Sequence, residues 1–249
     1  MSGTAGRPEA AGGPAVAGRP EAAVRPRISI VIPTRNEAQT LRPVLEKCRP
    51  YADEILVVDG HSTDGTRELA ESLGARVVLD NGRGKGAALR QAIEIVRGDI
   101  LVFIDADGSH DPEDIPKMVE PIARGEADHC IASRMRGGSD ELFSTFGQFV
   151  RMLGGQMITL AINYRFGVRI TDSQNGFRAF RTDAARILPL SENGTTIEQE
   201  MTIKSIRERL RMVEVPIHEY ARVAGESKIN VWRDGPRYVF SCIKYLVMN

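Results

Sequence analysis

Between residues 28 and 132 of the 249-residue chain, short apolar runs alternate with segments whose apolar residues recur at helical spacing. The apolar runs are 28–32, 54–58, 75–79, 100–104 and 128–132, and the intervening segments 38–48, 65–73, 87–96 and 112–124 read as helices. A run such as Ile100-Leu101-Val102-Phe103-Ile104 lacks the alternation of a half-exposed strand and suits a strand covered on both faces. Strand and helix alternating four times predict an α/β fold, a doubly wound and mostly parallel sheet with helices on both faces. Pro33 is expected to close the first strand, and Ser62-Thr63-Asp64 to cap the second helix.

Ligands of such sheets sit beyond the carboxyl ends of the strands, near a switch in strand order. The polar residues fall there: Thr34, Asn36 and Glu37 after the first strand, Asp59 after the second, Asp105 and Asp107 after the fourth, Arg134 after the fifth. Asp105 and Asp107 flank Ala106, and residues two apart in extended chain point to one side. Two hard oxygen ligands at that place suit Mg²⁺ or Mn²⁺ holding a diphosphate. The alternative is an acidic turn that ends the strand, with Asp111-Pro112 starting a helix. An EF-hand loop is excluded, because His110 stands where its Gly belongs and Pro116 where its Glu belongs. Arg83-Gly84-Lys85-Gly86 lacks P-loop spacing and follows the third strand. Lys85 is either a point charge for a diphosphate or part of a solvated loop. The four histidines show no metal-ligand spacing; His110, three residues after Asp107, is the one nearest the acidic pair.

Residues 1–26 repeat A-G-R-P-E-A-A and contain only Val16 and Val24 as branched aliphatics, so a disordered tail is expected there. The domain proper is expected over 27–230, followed by a C-terminal amphipathic helix over 231–249. Lys and Arg total 33 and Asp and Glu total 33, so no overall field favours nucleic acid. Cys48, Cys130 and Cys242 form neither a disulfide framework nor a zinc pattern. Without an apolar signal region or an 18-residue apolar run, a cytoplasmic location is expected. A helix over 144–163 carries Phe146, Phe149, Val150, Leu153, Met157, Leu160 and Ala161, read most simply as core packing or a homodimer contact. A loop over 172–176 leads to a strand at 177–180, then a helix at 197–209 and a strand at 211–215. Asp234 is expected to cap the last helix, whose apolar residues mix with Arg233, Arg237 and Lys244. That helix suits peripheral contact with a membrane, closure of the core, or a dimer.

A resemblance joins these pieces. I-V-I-P-T-R-N-E (30–37), V-V-D-G-H-S-T-D-G-T (57–66), G-K-G-A-A (84–88), D-A-D-G-S-H-D-P-E (105–113), A-S-R (132–134), N-G-F-R-A-F (175–180), E-V-P-I (214–217) and R-x-x-G-x-S-K (222–228) are similar to family 2 glycosyltransferases. Their order and spacing most resemble the dolichol-phosphate mannosyltransferase and polyprenyl-phosphate glycosyltransferase branch. The resemblance implies a GT-A fold, a nucleotide-sugar donor of GDP-mannose or UDP-glucose type, and a polyprenyl or dolichyl phosphate acceptor. It places Pro33, Thr34, Asn36 and Glu37 in the nucleotide loop, Asp59 near the base, and Lys85 at the family's G-K-G lysine. Asp105, Ala106 and Asp107 match the metal- and donor-binding pair, Arg134 the arginine after strand five, and Arg222, Ser227 and Lys228 the loop closing over the phosphates.

Ser109 stands where the family often has Gln, and Asn175 where it often has Ser. Metal, Lys228, Arg222 and Arg134 would neutralise charge on the departing nucleoside diphosphate. An anionic phosphate acceptor needs no strong base, which implies inversion at the anomeric carbon. A hydroxyl acceptor would need a carboxylate, for which Asp172 and Glu200 are the candidates. A soluble hydroxyl acceptor and a non-catalytic nucleotide-sugar-binding protein are the competing readings. A nucleotidyltransferase would need a glycine-rich loop where Pro33–Glu37 stands.

Overall fold

The computed structural model describes residues 25–141, 145–222 and 231–247. The tail expected over 1–26 lies outside the described residues up to position 24, and so do Ser227 and Lys228. The alternation read from the sequence is present as β1 (Ile28–Thr34), α1 (Ala38–Cys48), β2 (Glu54–Asp59), α2 (Thr66–Ser72), β3 (Arg76–Leu79), α3 (Lys85–Ile95), β4 (Ile100–Phe103), α4 (Ile115–Ala123) and β5 (His129–Ser133). Then come α5 (Arg134–Gly137), α6 (Phe146–Phe166), β6 (Arg178–Arg181), α7 (Thr182–Arg186), α8 (Ile197–Arg207), β7 (Met212–Pro216) and α9 (Val231–Val247).

The sheet runs β3-β2-β1-β4-β6-β5-β7. Every pairing is parallel except those of β6, which runs antiparallel to both β4 and β5. Its first residue, Arg178, pairs with Phe103 at the carboxyl end of β4. The loop that enters β6 therefore arrives at the edge where β4 delivers Asp105.

Helices cover both faces, which explains the unalternating apolar runs. Ile100, Val102 and Ile104 pack with Leu41 and Val44 of α1 and Ile115 and Met118 of α4. Leu101 and Phe103 face the other way, onto Leu89 and Ile93 of α3 and Ile197 and Met201 of α8. Burying each such side chain contributes on the order of 1.5–3 kcal/mol, so these two layers outweigh local propensity. A smaller cluster joins Ile158 and Ile162 of α6, Ile203 of α8, and Cys242 and Tyr245 of α9.

Four expectations need correction. Pro33 lies inside β1; the pairing with β4 has ended at Val31–Phe103, so that side of the strand no longer needs a ladder donor. The first turn expected of α4 is a separate 3-10 turn, Pro112–Asp114, with Asp111 accepting from Glu113 N–H. Asp234 is not a cap but an acidic residue in the first turn of α9, where it complements the helix dipole. The α6 stripe is not core: Phe146, Phe149, Leu153, Met157 and Leu160 are exposed, and α6 buries Ile158, Thr159 and Ile162 instead.

Candidate active site

After β4, Ile104 N–H still donates to Val31 O (3.1 Å), and the chain then turns at Gly108, whose φ of 75° is left-handed. The turn leaves Asp105 and Asp107 at the sheet edge. Ser109 donates to Asp107 Oδ1 through its hydroxyl (2.7 Å) and its N–H (3.1 Å), so the residue that replaces Gln orients the carboxylate. Asp107 Oδ2 faces Arg222 Nη1 at 3.3 Å. Asp105 Oδ1 lies 2.8 Å from Lys85 Nζ, which also lies 2.9 Å from Glu198 Oε1 at the start of α8. Burial alone would lower the pKa of Lys85, but the charges of Asp105 and Glu198 outweigh it and hold the ammonium well above its ordinary value. Burial likewise pushes Asp105 up, and Lys85 more than reverses this, so that carboxyl stays below the usual carboxylate range.

The glycines beside Lys85 serve backbone packing. A Cβ on Gly84 would meet Asn193 O at 2.8 Å, and one on Gly86 would meet Glu192 O at 2.5 Å. Two N–H groups in the first turn of α3, those of Gly86 and Ala87, donate to Asn193 O (2.8 and 3.3 Å). The helix start is thus capped by the 192–194 backbone, and only the Lys85 side chain reaches the site. Gly176, in the loop entering β6, comes as close from the other side: its Cβ would lie 2.8 Å from Asp105 Oδ2 and 3.2 Å from Lys85 Nζ.

Arg134, at the start of α5, makes a two-pronged pair with Asp172: Nε to Oδ2 at 2.7 Å and Nη2 to Oδ1 at 3.0 Å. Its Nη1 also reaches Glu219 (3.3 Å). Glu214 of the E-V-P-I segment fixes the loop at Asp172 by accepting from Thr171 N–H (2.6 Å) and Asp172 N–H (2.9 Å). Burial raises the Asp172 pKa, yet Arg134 outweighs it, and the carboxyl sits below its ordinary range. Asp172 is therefore the counter-ion of Arg134 and a poor proton acceptor. Glu200 is corrected as a candidate base. It is fully buried away from the cleft, accepting from Ser191 and Glu192 N–H and from Tyr245 Oη and paired with Lys204. The carboxylate of α8 that faces the site is Glu198, two residues earlier.

Pro33, Thr34, Asn36, Glu37 and Asp59 lie at the same sheet edge but do not line the cleft. Asp59 is buried, accepting from Thr34 Oγ1 (3.2 Å) and from Ser62 N–H (2.9 Å). Asn36, with a left-handed φ of 57°, donates its N–H to Ser62 Oγ and accepts from Thr63 N–H, while Glu37 N–H donates to Thr66 Oγ1. Pro33, Thr34, Asn36, Glu37 and Asp59 thus belong to two loops laced together beside the cleft.

The cleft, about 260 Å³, has a charged floor of Lys85, Asp105, Arg134, Asp172, Glu198, Glu219 and Arg222. Val150 and Ile158 of α6 and Tyr238 and Val239 of α9 form an apolar wall. Sequence reading missed Glu219, Glu141 and Gln174, because nothing local marks them; folding alone brings them here. Among the described residues, ion pairs on and against the floor join four cations (Lys85, Arg134, Arg151, Arg222) to six carboxylates (Asp105, Asp107, Glu141, Asp172, Glu198, Glu219). Carboxylates this close to the acidic pair fit a divalent cation between them and a diphosphate. Among the described residues no group of three or more His, Cys, Asp or Glu is placed to hold a metal.

The comparisons with known proteins agree with this geometry. Residues 29–188 match the family model described as Glycosyl transferase family 2. Glycosyltransferase AglJ of Haloferax volcanii is 35% identical, over 84% of this chain and 68% of the relative. Undecaprenyl-phosphate mannosyltransferase of Micrococcus luteus is 34% identical, over 82% and 88%. Glucosyl-3-phosphoglycerate synthase from Mycobacterium tuberculosis, solved with Mn²⁺, UDP-glucose and phosphoglyceric acid, superposes with a TM-score of 0.73 at 25% identity, covering 90% of this chain and 81% of that one. With a GT-A-like sheet, an acidic pair at the end of β4 and these relatives, the chain belongs to glycosyl transferase family 2 and is a glycosyltransferase.

Proposed function

We propose that this enzyme transfers a sugar from a nucleoside-diphosphate donor, of GDP-mannose or UDP-glucose type, to a polyprenyl phosphate at a membrane surface. Asp105 and Asp107 would hold Mg²⁺ or Mn²⁺, which when bound supplies positive charge to the departing diphosphate. Lys85, Arg222 and Arg134 add fixed charge from the protein, joined by Lys228 and by the hydroxyl donor of Ser227 from the segment outside the described residues. Asp172 and Glu198 are each held by a cation, so neither is a ready base. An acceptor that is already anionic needs none, and direct attack on the anomeric carbon then inverts it.

The observation that carries the lipid acceptor is the surface beside the cleft. Phe146, Phe149, Leu153, Met157, Leu160 and Tyr164 expose one face of α6, and Val239, Phe240, Ile243 and Val247 expose the neighbouring α9. So large an apolar face marks a binding surface. Val239 belongs both to it and to the cleft wall. The basic Arg233, Arg237 and Lys244 of α9 suit an anionic lipid surface. Among the described residues no helix is long and apolar enough to cross a membrane. The contact proposed for this face is peripheral, on the cytoplasmic side. Names of relatives such as undecaprenyl-phosphate mannosyltransferase support the same acceptor class.

The test is transfer by purified protein, with Mn²⁺ or Mg²⁺, from a panel of GDP- and UDP-sugars to short-chain polyprenyl phosphate. Metal-dependent formation of a polyprenyl-phosphate sugar, abolished by chelation and by Asp107→Ala, is the expected result. Donor binding with transfer only to a soluble hydroxyl acceptor would refute the lipid acceptor. No donor binding in the presence of metal would refute the donor assignment.

A further inference from the structure

Glu200 is a fully buried carboxylate outside the cleft, and its partners show what it holds. Its oxygens accept from the N–H of Ser191 (2.9 and 3.0 Å), the N–H of Glu192 (2.8 Å) and the hydroxyl of Ser191 (2.8 Å). Lys204, one turn along α8, balances the charge at 2.7 Å. A further donor comes from α9: Tyr245 Oη lies 2.7 Å from Glu200 Oε1, 2.9 Å from Glu192 Oε1 and 2.9 Å from Ser191 Oγ. On the same helix Tyr238 donates to Thr195 O (3.1 Å), and Lys244 reaches Glu192 (3.3 Å). Residues 191–195 are thus held between α8 and α9.

That segment is the seat of Lys85. Asn193 O accepts from Gly86 and Ala87 N–H, and Asn193 Oδ1 accepts from Arg90 (2.7 Å). The contact is backbone against backbone: a Cβ on Gly86 would stand 2.8 Å from Gly194 O and closer still to Glu192 O. With no side chain between them to absorb a displacement, a shift of residues 192–194 passes to the first turn of α3. Lys85 begins that turn, and its ammonium bridges Asp105 and Glu198 at 2.8 and 2.9 Å, distances that tolerate little movement. We infer that Tyr245 is a positioning residue for Lys85, acting through Glu200 and the 191–194 segment. The role rests on the reading of Lys85 as a diphosphate contact. It gives α9 two tasks on two faces: Phe240, Ile243 and Val247 are exposed, and Tyr245 is buried. The helix proposed to meet the acceptor's membrane thereby also sets the cation proposed to meet the donor.

The test is the affinity for a nucleoside diphosphate, UDP or GDP, in Mn²⁺ by calorimetry, with a thermal melt of each variant. Tyr245→Phe keeps the ring in its packing and removes the hydroxyl. It should weaken the nucleotide about three- to tenfold, the value of one hydrogen bond. In a Lys85→Gln background the amide can still bond a carboxylate but the charge is gone, and the same substitution should change affinity less than twofold. Ser191→Ala, which loosens the same segment, carries both expectations and serves if Tyr245→Phe does not fold. Cys242→Ala removes apolar packing from the same helix and should lower the melting temperature with affinity within twofold of wild type. Equal weakening in both backgrounds, weakening in neither, or equal weakening by Cys242→Ala would overturn the role of Tyr245 and leave the reading of Lys85 intact. Lys85→Gln binding as tightly as wild type, or failure of the wild type to bind either nucleotide, would remove both.

Discussion

Gly176→Ala separates stability from catalysis at a single atom. The added Cβ would stand 2.8 Å from Asp105 Oδ2 and 3.2 Å from Lys85 Nζ, so the carboxylate must recede by roughly 0.6 Å to reach the 3.4 Å of ordinary contact. Both obstructing atoms are ends of side chains, and Gly176 is not among the residues with left-handed backbone. The alanine therefore adds no backbone strain, and its smaller unfolded-state entropy contributes about 0.4–1 kcal/mol of stability. That offsets most of the steric cost. Net stability should stay within about 1 kcal/mol of wild type, a melting shift of roughly 2–4 °C. Catalysis should suffer more, because a displacement of order 1 Å in a positioned group costs up to about 10²-fold. A tenfold to hundredfold loss of kcat/KM with weakened Mn²⁺ binding is expected, read by transfer kinetics, manganese titration and a thermal melt. Activity within twofold of wild type would refute the claim that Gly176 positions Asp105. A melting loss large enough to account for the inactivity would refute the claim that only the site is disturbed.

Other perturbations test other parts of the molecule. Arg178 is fully buried, donates to Ser173 O, Asn175 O and Thr202 Oγ1, and burial pushes its pKa down to about 10. Arg178→Met leaves the Asn175 carbonyl unsatisfied and Ser173 O with only the hydroxyl of Thr202 at 3.4 Å, and should cost roughly 2–4 kcal/mol, a fall of about 5–15 °C in Tm by calorimetry. Asp128 is held at about 2 by hydrogen bonds from Arg211, with the charge of Arg181 adding to them. Its folded pKa is below the unfolded one, so its stabilisation is complete above about pH 4 and is lost as pH falls toward about 2. Urea midpoints should therefore drop more steeply across that window in wild type than in Asp128→Asn. Replacing Phe149 and Phe240, both exposed, by Ser should reduce sedimentation with anionic vesicles severalfold and leave Tm nearly unchanged. A loss of dimer in solution without any vesicle effect would assign that face to a second copy instead.

Much of the fold was legible because burial on both faces writes itself into sequence as unbroken apolar runs. Ile100–Ile104 and its relatives placed β1 to β5 and the helices between them, and Asp105, Asp107 and Arg134 fell where parallel strands end. The resemblance was legible for a related reason: short motifs at fixed order record which loops share that edge. Periodicity left α6 open between a core and a contact surface, since Phe146, Leu153 and Leu160 repeat at helical spacing in either case. It also could not separate Glu198 from Glu200. Both open the same helix, and a difference of about 200° around its axis sends one to Lys85 and the other to Ser191 and Tyr245.

By itself, then, the sequence determined the layered α/β architecture, the acidic pair and the edge where a ligand belongs, because these depend on local burial and on residues adjacent in the chain. Tertiary structure alone decided what the charged groups do. The reversal of β6 brings Gly176 over Asp105, and α8 places Glu198 against Lys85 across more than a hundred residues of chain. Asp172 becomes the partner of Arg134 in the same way. Whether a carboxylate acts as ligand, counter-ion or structural cap is set by the charges and hydrogen bonds around it, and those come from segments far apart in the chain.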